Sequence, residues 1–256
     1  MKTGLVLSGG GARGIAHIGV IRAMEEYQLT ISRIAGTSAG AIVGALYASG
    51  LGWKDILAFF KSVQLFSFNN FAWDKPGFVD TEKFYKRFSD VLKEDSFESL
   101  HLPLYVTATD LLSGRLKVFS SGELIRPILA SAAFPGLFTP VAIGDSYFID
   151  GGTLNNFPAE LIRDDCETIY GVYVNPFEKV AIDDLKHSFH ILERAFKIRS
   201  ASDSLTKFDM CELVICPKGL NTFATFSLKD VDTIYNIGYK AALSALKAHF
   251  ADREKV

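Results

Sequence analysis

Three short segments hold residue types whose spacing suits chemistry. The first, Gly9-Gly10-Gly11-Ala12-Arg13-Gly14, matches G-x-G-x-x-G where an apolar run gives way to helical spacing. A dinucleotide-binding turn shares this pattern, but its second strand ends in an acidic residue, and here that strand reads ISRIAGTS. A phosphate-binding P-loop is excluded too, since no Gly-Lys-Ser/Thr follows. What remains is a run of glycines at a helix N-terminus, with uncovered backbone N–H groups where the helix dipole favours negative charge. That is the chemistry of an oxyanion hole. Plainer readings stand beside it: a glycine turn for tight strand–helix packing, and a solvated helix-start role for Arg13 in place of an added positive charge.

The second segment, Gly36-Thr37-Ser38-Ala39-Gly40, is a G-x-S-x-G between a strand-like run and an apolar helix. Gly36 and Gly40 permit a strained, close-packed turn that lifts the Ser38 hydroxyl above a sheet, the mechanics of a nucleophile elbow. The plainer reading is a serine N-cap. A nucleophilic serine needs a base, and the five histidines are poorly placed for it: His17 in the first helix, His101 before a strand, His187 and His190 in a polar helix, His249 near the C-terminus. The third segment, Ser146 to Gly152 (SYFIDGG), offers a carboxylate instead, with Asp150 ending an apolar run before Gly151 and Gly152. Taken alone, such an Asp is often only a turn former.

The elements that must position these groups alternate. Thr3 to Leu7, Ile31 to Ala35, 102–110, 116–120, 168–175 and 213–216 read as strands. Helices are expected from Arg13 onward, over Ala39 to Ala48, and at 124–134, 184–200 and 230–250. This predicts an α/β fold with a mainly parallel sheet between helices, in one domain spanning 1–256. The apolar stretch Gly40 to Leu51 is too short for a membrane span and reads as a buried helix. Residues 65–79 break the pattern with five aromatics among Asn, Asp, Pro and Gly. They read either as rings packed on the domain surface or as a flap over an apolar substrate site.

Composition narrows the class. With 48% hydrophobic and 22% charged residues the chain has the proportions of a compact soluble domain. Its 27 basic and 29 acidic residues give a net charge of −2, so a non-specific nucleic-acid binder is not expected. Three cysteines form no even framework, and with no visible export signal a reducing, cytoplasmic setting is expected. Cys211 and Cys216 lie five apart in a strand-like run, which places their side chains on opposite faces; they read as packing residues, and no metal site or cofactor is expected.

Glycine loop, G-x-S-x-G and D-G-G, in that order, resemble the patatin-like phospholipase family. The resemblance extends to Ala130-Ser131-Ala132-Ala133-Phe134-Pro135-Gly136-Leu137-Phe138-Thr139-Pro140, to Ala108-Thr109-Asp110-Leu111 with Gly114, and to Gly14 through Val20. It covers about residues 4 to 160; the last hundred residues carry no matching motif. It implies a three-layer α/β/α sandwich and a Ser-Asp dyad without histidine: Ser38 as nucleophile, Asp150 as base, and the N–H groups of Gly10 and Gly11 as oxyanion donors. The implied function is a lipid acyl hydrolase acting on a lipid or other acyl ester through an acyl-enzyme. Burial against Tyr147 and Phe148 is expected to raise the Asp150 pKa toward a useful base. The absence of a basic cluster limits membrane contact to a transient, apolar one. Two alternatives stay open: a serine acyltransferase, against which Thr37 stands where such enzymes carry histidine, and a non-catalytic lipid-binding module.

Overall fold

The structure, a computed structural model, describes residues 2–62, 84–176, 179–225 and 229–253. The aromatic stretch 65–79 lies outside the described residues. In chain order the elements are β1 (Thr3–Leu7), α1 (Ile15–Glu26), β2 (Arg33–Thr37), α2 (Ala39–Ala48), α3 (Trp53–Ser62), α4 (Tyr85–Ser89), β3 (Leu104–Asp110) and β4 (Arg115–Phe119). There follow α5 (Ile125–Ser131), β5 (Val141–Ile143), β6 (Ser146–Asp150), β7 (Thr168–Val172), α6 (Ser188–Leu205), β8 (Leu213–Ile215) and α7 (Val231–Arg253).

The strands form one sheet in the order β5-β6-β3-β2-β1-β7-β8, with β4 also paired to β3. From β3 to β8 the pairing is parallel; β4, β5 and β6 are antiparallel additions at one end. The register around β3 positions the site. Val106 and Thr107 pair with Gly36 and Thr37 of β2 on one edge and with Phe119 and Val118 of β4 on the other. Ala108 to Asp110 keep β4 and gain Asp150 to Phe148 of β6. Thus β2 and β6 share one edge of β3 and meet end to end from opposite directions, Thr37 opposite Thr107 and Asp150 opposite the next residue, Ala108.

Alternation along the strands sends side chains to two cores, because successive residues face opposite sides of a sheet. Leu5 and Leu7 join the larger core with Ile18, Leu46 and Ile234, while Val6 joins a smaller one with Phe157, Ile162 and Tyr173. Buried on all sides in the larger core, α2 explains the apolar composition of its sequence. Among the described residues no helix is long and apolar enough to cross a membrane.

Some expectations shift. The second strand begins two residues later than read from the sequence: Ser32 is tied by its N–H and hydroxyl to the Thr3 carbonyl, and Gly36 and Thr37 continue the ladder against β3. Ser38 therefore follows the strand directly. Short α3, α4 and β5 were not legible as elements, and α5 stops at Ser131, before the turn that begins at Phe134. Cys211 and Cys216 do not face opposite sides: both pack on the smaller core, because Cys211 sits in the turn before the three-residue β8, where alternation has not begun. All three cysteines are free thiols.

Phe157 is fully buried between Tyr173 and Phe208, with ring centroids 6.0 and 5.3 Å away. Phe157→Ala is expected to cost about 3–5 kcal/mol of stability, read as a lowered urea midpoint. A shift of a few tenths of a molar or less is inconsistent with this packing.

Candidate active site

Ser38 sits where β2 hands over to α2, at φ +53° and ψ −123°, a backbone state costly for any residue with a side chain. Its own N–H donates to the Ser131 hydroxyl at 2.7 Å, from the end of α5. Gly36 lies one residue from the end of β2, and Gly40 enters the first turn of α2 against the Leu7 carbonyl, where a Cβ would come within 2.2 Å. The turn is strained and close-packed, as the glycines of G-x-S-x-G permit.

The Ser38 hydroxyl donates to Asp150 Oδ2 at 2.7 Å. The other carboxylate oxygen accepts the Gly152 N–H at 2.7 Å, and Gly151 begins the single turn that makes this possible. Asp150 is fixed further by its N–H on the Ala133 carbonyl and by Thr109, whose hydroxyl donates to its carbonyl. Thr37 links the two halves: its hydroxyl lies 2.6 Å from that of Thr107 and donates to the Asn155 carbonyl at 2.9 Å.

Both partners are buried, Ser38 at 6% and Asp150 at 3% exposure. Burial pushes the Asp150 carboxyl up to about 7, against the hydrogen bonds from Ser38 and Gly152, which pull it down. The apolar surroundings differ in part from expectation. Phe148 is buried, but Tyr147 is 50% exposed, because alternation along β6 turns it to the opposite face from Asp150. Phe134, whose ring packs edge-on against Phe196 of α6 at 4.9 Å, lines the cavity beside Asp150 instead.

The glycine loop borders the same cavity. The Gly9 N–H donates to the Asn156 carbonyl, and the Ala12 N–H donates to the Thr225 carbonyl. Between them, the N–H groups of Gly10 and Gly11 have no acceptor among the described residues, and both residues line the cavity with Ser38. Gly11 adopts φ +58°, and a Cβ there would lie 2.2 Å from the Thr225 carbonyl oxygen, so no other residue fits. Gly14 packs against Ala39. Arg13 is neither solvated nor on the cavity wall: it is buried, and Nε and Nη2 donate to the Phe223 carbonyl at 3.2 and 3.0 Å.

His17 is fully buried with Nε2 2.8 Å from the Ser8 carbonyl, and burial pushes it down to about 4, so it props the glycine loop as a neutral ring. Among the described residues no histidine lines the cavity. Sequence reasoning missed Ser131, Asn156, Asn175 and the α6 residues Glu193 and Lys197. Ser131 lay inside a quoted block and Asn156 next to D-G-G, whereas α6 offered no motif at all.

A carboxyl held near 7 binds its proton more tightly in the folded than in the unfolded chain, so between about pH 4 and 7 stability falls as pH rises. Asp150→Asn still accepts the Gly152 N–H through Oδ1 and meets Ser38 with its Nδ2 as donor, reversing that bond, without the penalty of burying a charge. At pH 8 it is expected to be more stable than the wild type by up to about 4 kcal/mol, the difference shrinking toward pH 4. Urea unfolding of both proteins at the two pH values checks this; a pH-independent difference contradicts the raised carboxyl.

The family model described as patatin-like phospholipase matches residues 5–162. Lysophospholipase NTE1 of Mycosarcoma maydis is 29% identical over 96% of this chain and 15% of its own length. Lysophospholipase NTE1 of Saccharomyces cerevisiae is 32% identical over 67% of this chain and 11% of its own length. The chain therefore spans less than a fifth of these relatives. In fold it is similar to VipD from Legionella pneumophila, with a TM-score of 0.66 over 97% of this chain and 67% of that one at 17% identity. The matched residues span the glycine loop, Ser38 and Asp150, and the chain belongs to the patatin-like phospholipase family.

Proposed function

We propose that this chain is a lipid acyl hydrolase of the phospholipase A or lysophospholipase type, a carboxylesterase that works through Ser38 and Asp150. The observation that carries the reading is the 2.7 Å hydrogen bond from Ser38 to a buried Asp150 at the wall of a largely apolar cavity. As the Ser38 oxygen attacks the acyl carbon, its proton passes to Asp150 Oδ2, so free alkoxide never accumulates. A carboxyl near 7 suits this transfer far better than one at the ordinary 3.9 or so. Negative charge then grows on the acyl oxygen, beside the Gly10 and Gly11 N–H groups, which have no acceptor among the described residues. Asp150 returns the proton to the departing alcohol, and afterwards takes one from the water that hydrolyses the acyl-enzyme.

The apolar wall formed by Ile42, Phe60, Phe84, Phe88 and Phe138 fits an acyl chain. Outside the cavity, α6 turns Ile191, Leu192, Ile198 and Leu205 outward, each more than half exposed. That face suits transient, apolar contact with a lipid aggregate beside the site, as against the electrostatic docking that a basic cluster would provide.

Hydrolysis of p-nitrophenyl esters of short and long chain, with fluorophosphonate labelling read by intact mass, tests the reading. One label and turnover are expected in the wild type, neither in Ser38→Ala, and a loss of about 10³–10⁴ in kcat for Asp150→Asn. Because the base must be ionised, kcat/KM is expected to rise with pH through about 7. Full activity in Asp150→Asn would overturn the dyad. A label at Ser38 without hydrolysis would favour acyl transfer, and lipid binding without label or turnover would favour a binding module.

A further inference from the structure

The proposed reaction needs donors for the charge that grows on the acyl oxygen, and several that stand nearby are already engaged. The Ser38 N–H donates to the Ser131 hydroxyl, the Gly9 N–H to the Asn156 carbonyl and the Ala12 N–H to the Thr225 carbonyl. Arg13 is taken up by the Phe223 carbonyl, and the Asn175 amide by the carbonyl of Gly9. Beside the Gly10 and Gly11 N–H groups, a side-chain donor from the cavity lining also lacks an acceptor among the described residues: Nδ2 of Asn156.

Asn156 is 3% exposed, and its carboxamide approaches both halves of the dyad. A Cβ added to Gly9 would lie 2.4 Å from Asn156 Oδ1 and 3.1 Å from the Ser38 Cβ. One added to Gly152 would lie 2.8 Å from the same oxygen and 3.0 Å from Asp150 Oδ1. Two glycines thus leave open the space that the carboxamide shares with Ser38 and Asp150, and a side chain at either would close it. The backbone of Asn156 is held independently, through its carbonyl on the Gly9 N–H, so the glycine loop does not hang on the side chain. The last torsion of an asparagine is soft, and the carboxamide turns about it without moving that backbone.

A buried amide donor without an acceptor costs free energy in the resting protein, a cost that an apolar side chain of similar shape avoids. It is offset when an acceptor arrives with the substrate. We propose that Asn156 is a further catalytic residue, whose Nδ2 joins the Gly10 and Gly11 N–H groups on the acyl oxygen of the tetrahedral intermediates in acylation and deacylation. No covalent bond changes at Asn156; it donates one hydrogen bond, which is strongest when the oxygen carries its full charge. The proposal rests on Ser38 being the nucleophile, because that fixes where the oxygen lies.

The test uses Asn156→Leu, which removes the donor at similar volume, and Asn156→Ala, which removes it without filling the space. With p-nitrophenyl decanoate, kcat is expected to fall by about 10²–10³ in both, while KM stays within about threefold. Asn156→Leu is expected to keep or raise the urea midpoint, since an unmet buried donor is gone. Two ketones separate a donor from a packing role. Ser38 adds to the carbonyl of 1,1,1-trifluorododecan-2-one, its proton passing to Asp150, and leaves an oxyanion in the hole; dodecan-2-one binds without adding. Asn156→Leu is expected to weaken the first by at least about tenfold and the second by less than about threefold. Equal weakening of both ketones, or a kcat within about threefold of the wild type in both variants, would overturn the proposal. So would a loss confined to deacylation, with the p-nitrophenol burst unchanged in rate, which would make Asn156 a holder of the hydrolytic water. Turnover that survives in Ser38→Ala would sink the nucleophile reading and this proposal with it. Fluorophosphonate labelling at Ser38 together with unchanged kcat in Asn156→Leu and Asn156→Ala would sink this proposal alone.

Discussion

Everything at this site depends on two strands that run in opposite directions and stop against the same edge of β3. Because β2 ends opposite Thr107 and β6 ends opposite Ala108, the residue that follows one strand and the residue that closes the other meet head to head. The 2.7 Å bond between Ser38 and Asp150 is the product of that register. A slip by one residue in either ladder would turn Ser38 or Asp150 to the other face of the sheet. The antiparallel pieces at this end are therefore what the parallel sheet needs in order to bring a carboxylate to its elbow. Thr37, Thr107 and the Asn155 carbonyl bind the junction together from beneath.

This arrangement is costly to hold. Ser38 occupies a positive φ, Asp150 is a carboxyl almost out of reach of water, and two N–H groups of the glycine loop have no acceptor among the described residues. Each is stabilised by packing elsewhere: α2 buried on every side, α5 offering Ser131 to the elbow, and β7 and the following Asn175 fixing the glycine loop. The same burial that penalises the charged carboxylate raises its proton affinity, the property that the proposed reaction uses. Burial of Asp150 thus costs stability at the residue on which the proposed reaction relies.

The motifs nominated Ser38, Asp150 and the glycine loop because each demands particular residue types at fixed spacing, and the fold brings the three together around one cavity. Apolar runs between glycine turns marked most strands correctly. What was not legible has physical reasons. Strand ends are set by pairing partners, so Thr37 joined β2 only once β3 lay beside it. The neighbours of Asp150 are set by tertiary packing: adjacency in sequence nominated Tyr147, whereas alternation removed it and Phe134 came from the turn after α5. Arg13, which reads as a surface or site charge, is consumed by the Phe223 carbonyl far along the chain. A second wall of the cavity comes from α6 and its surroundings, whose residues make sense only in three dimensions.

The most direct test of the central claim is the proton affinity of the Asp150 side chain itself, followed by carbon-13 NMR of labelled aspartate carboxyls, with Asp150→Asn assigning the resonance. The account requires a titration near pH 7 in the wild type, with a further upward move in Ser38→Ala as the hydroxyl that stabilises the carboxylate is lost. A carboxyl that titrates near 4, indifferent to Ser38, would contradict it.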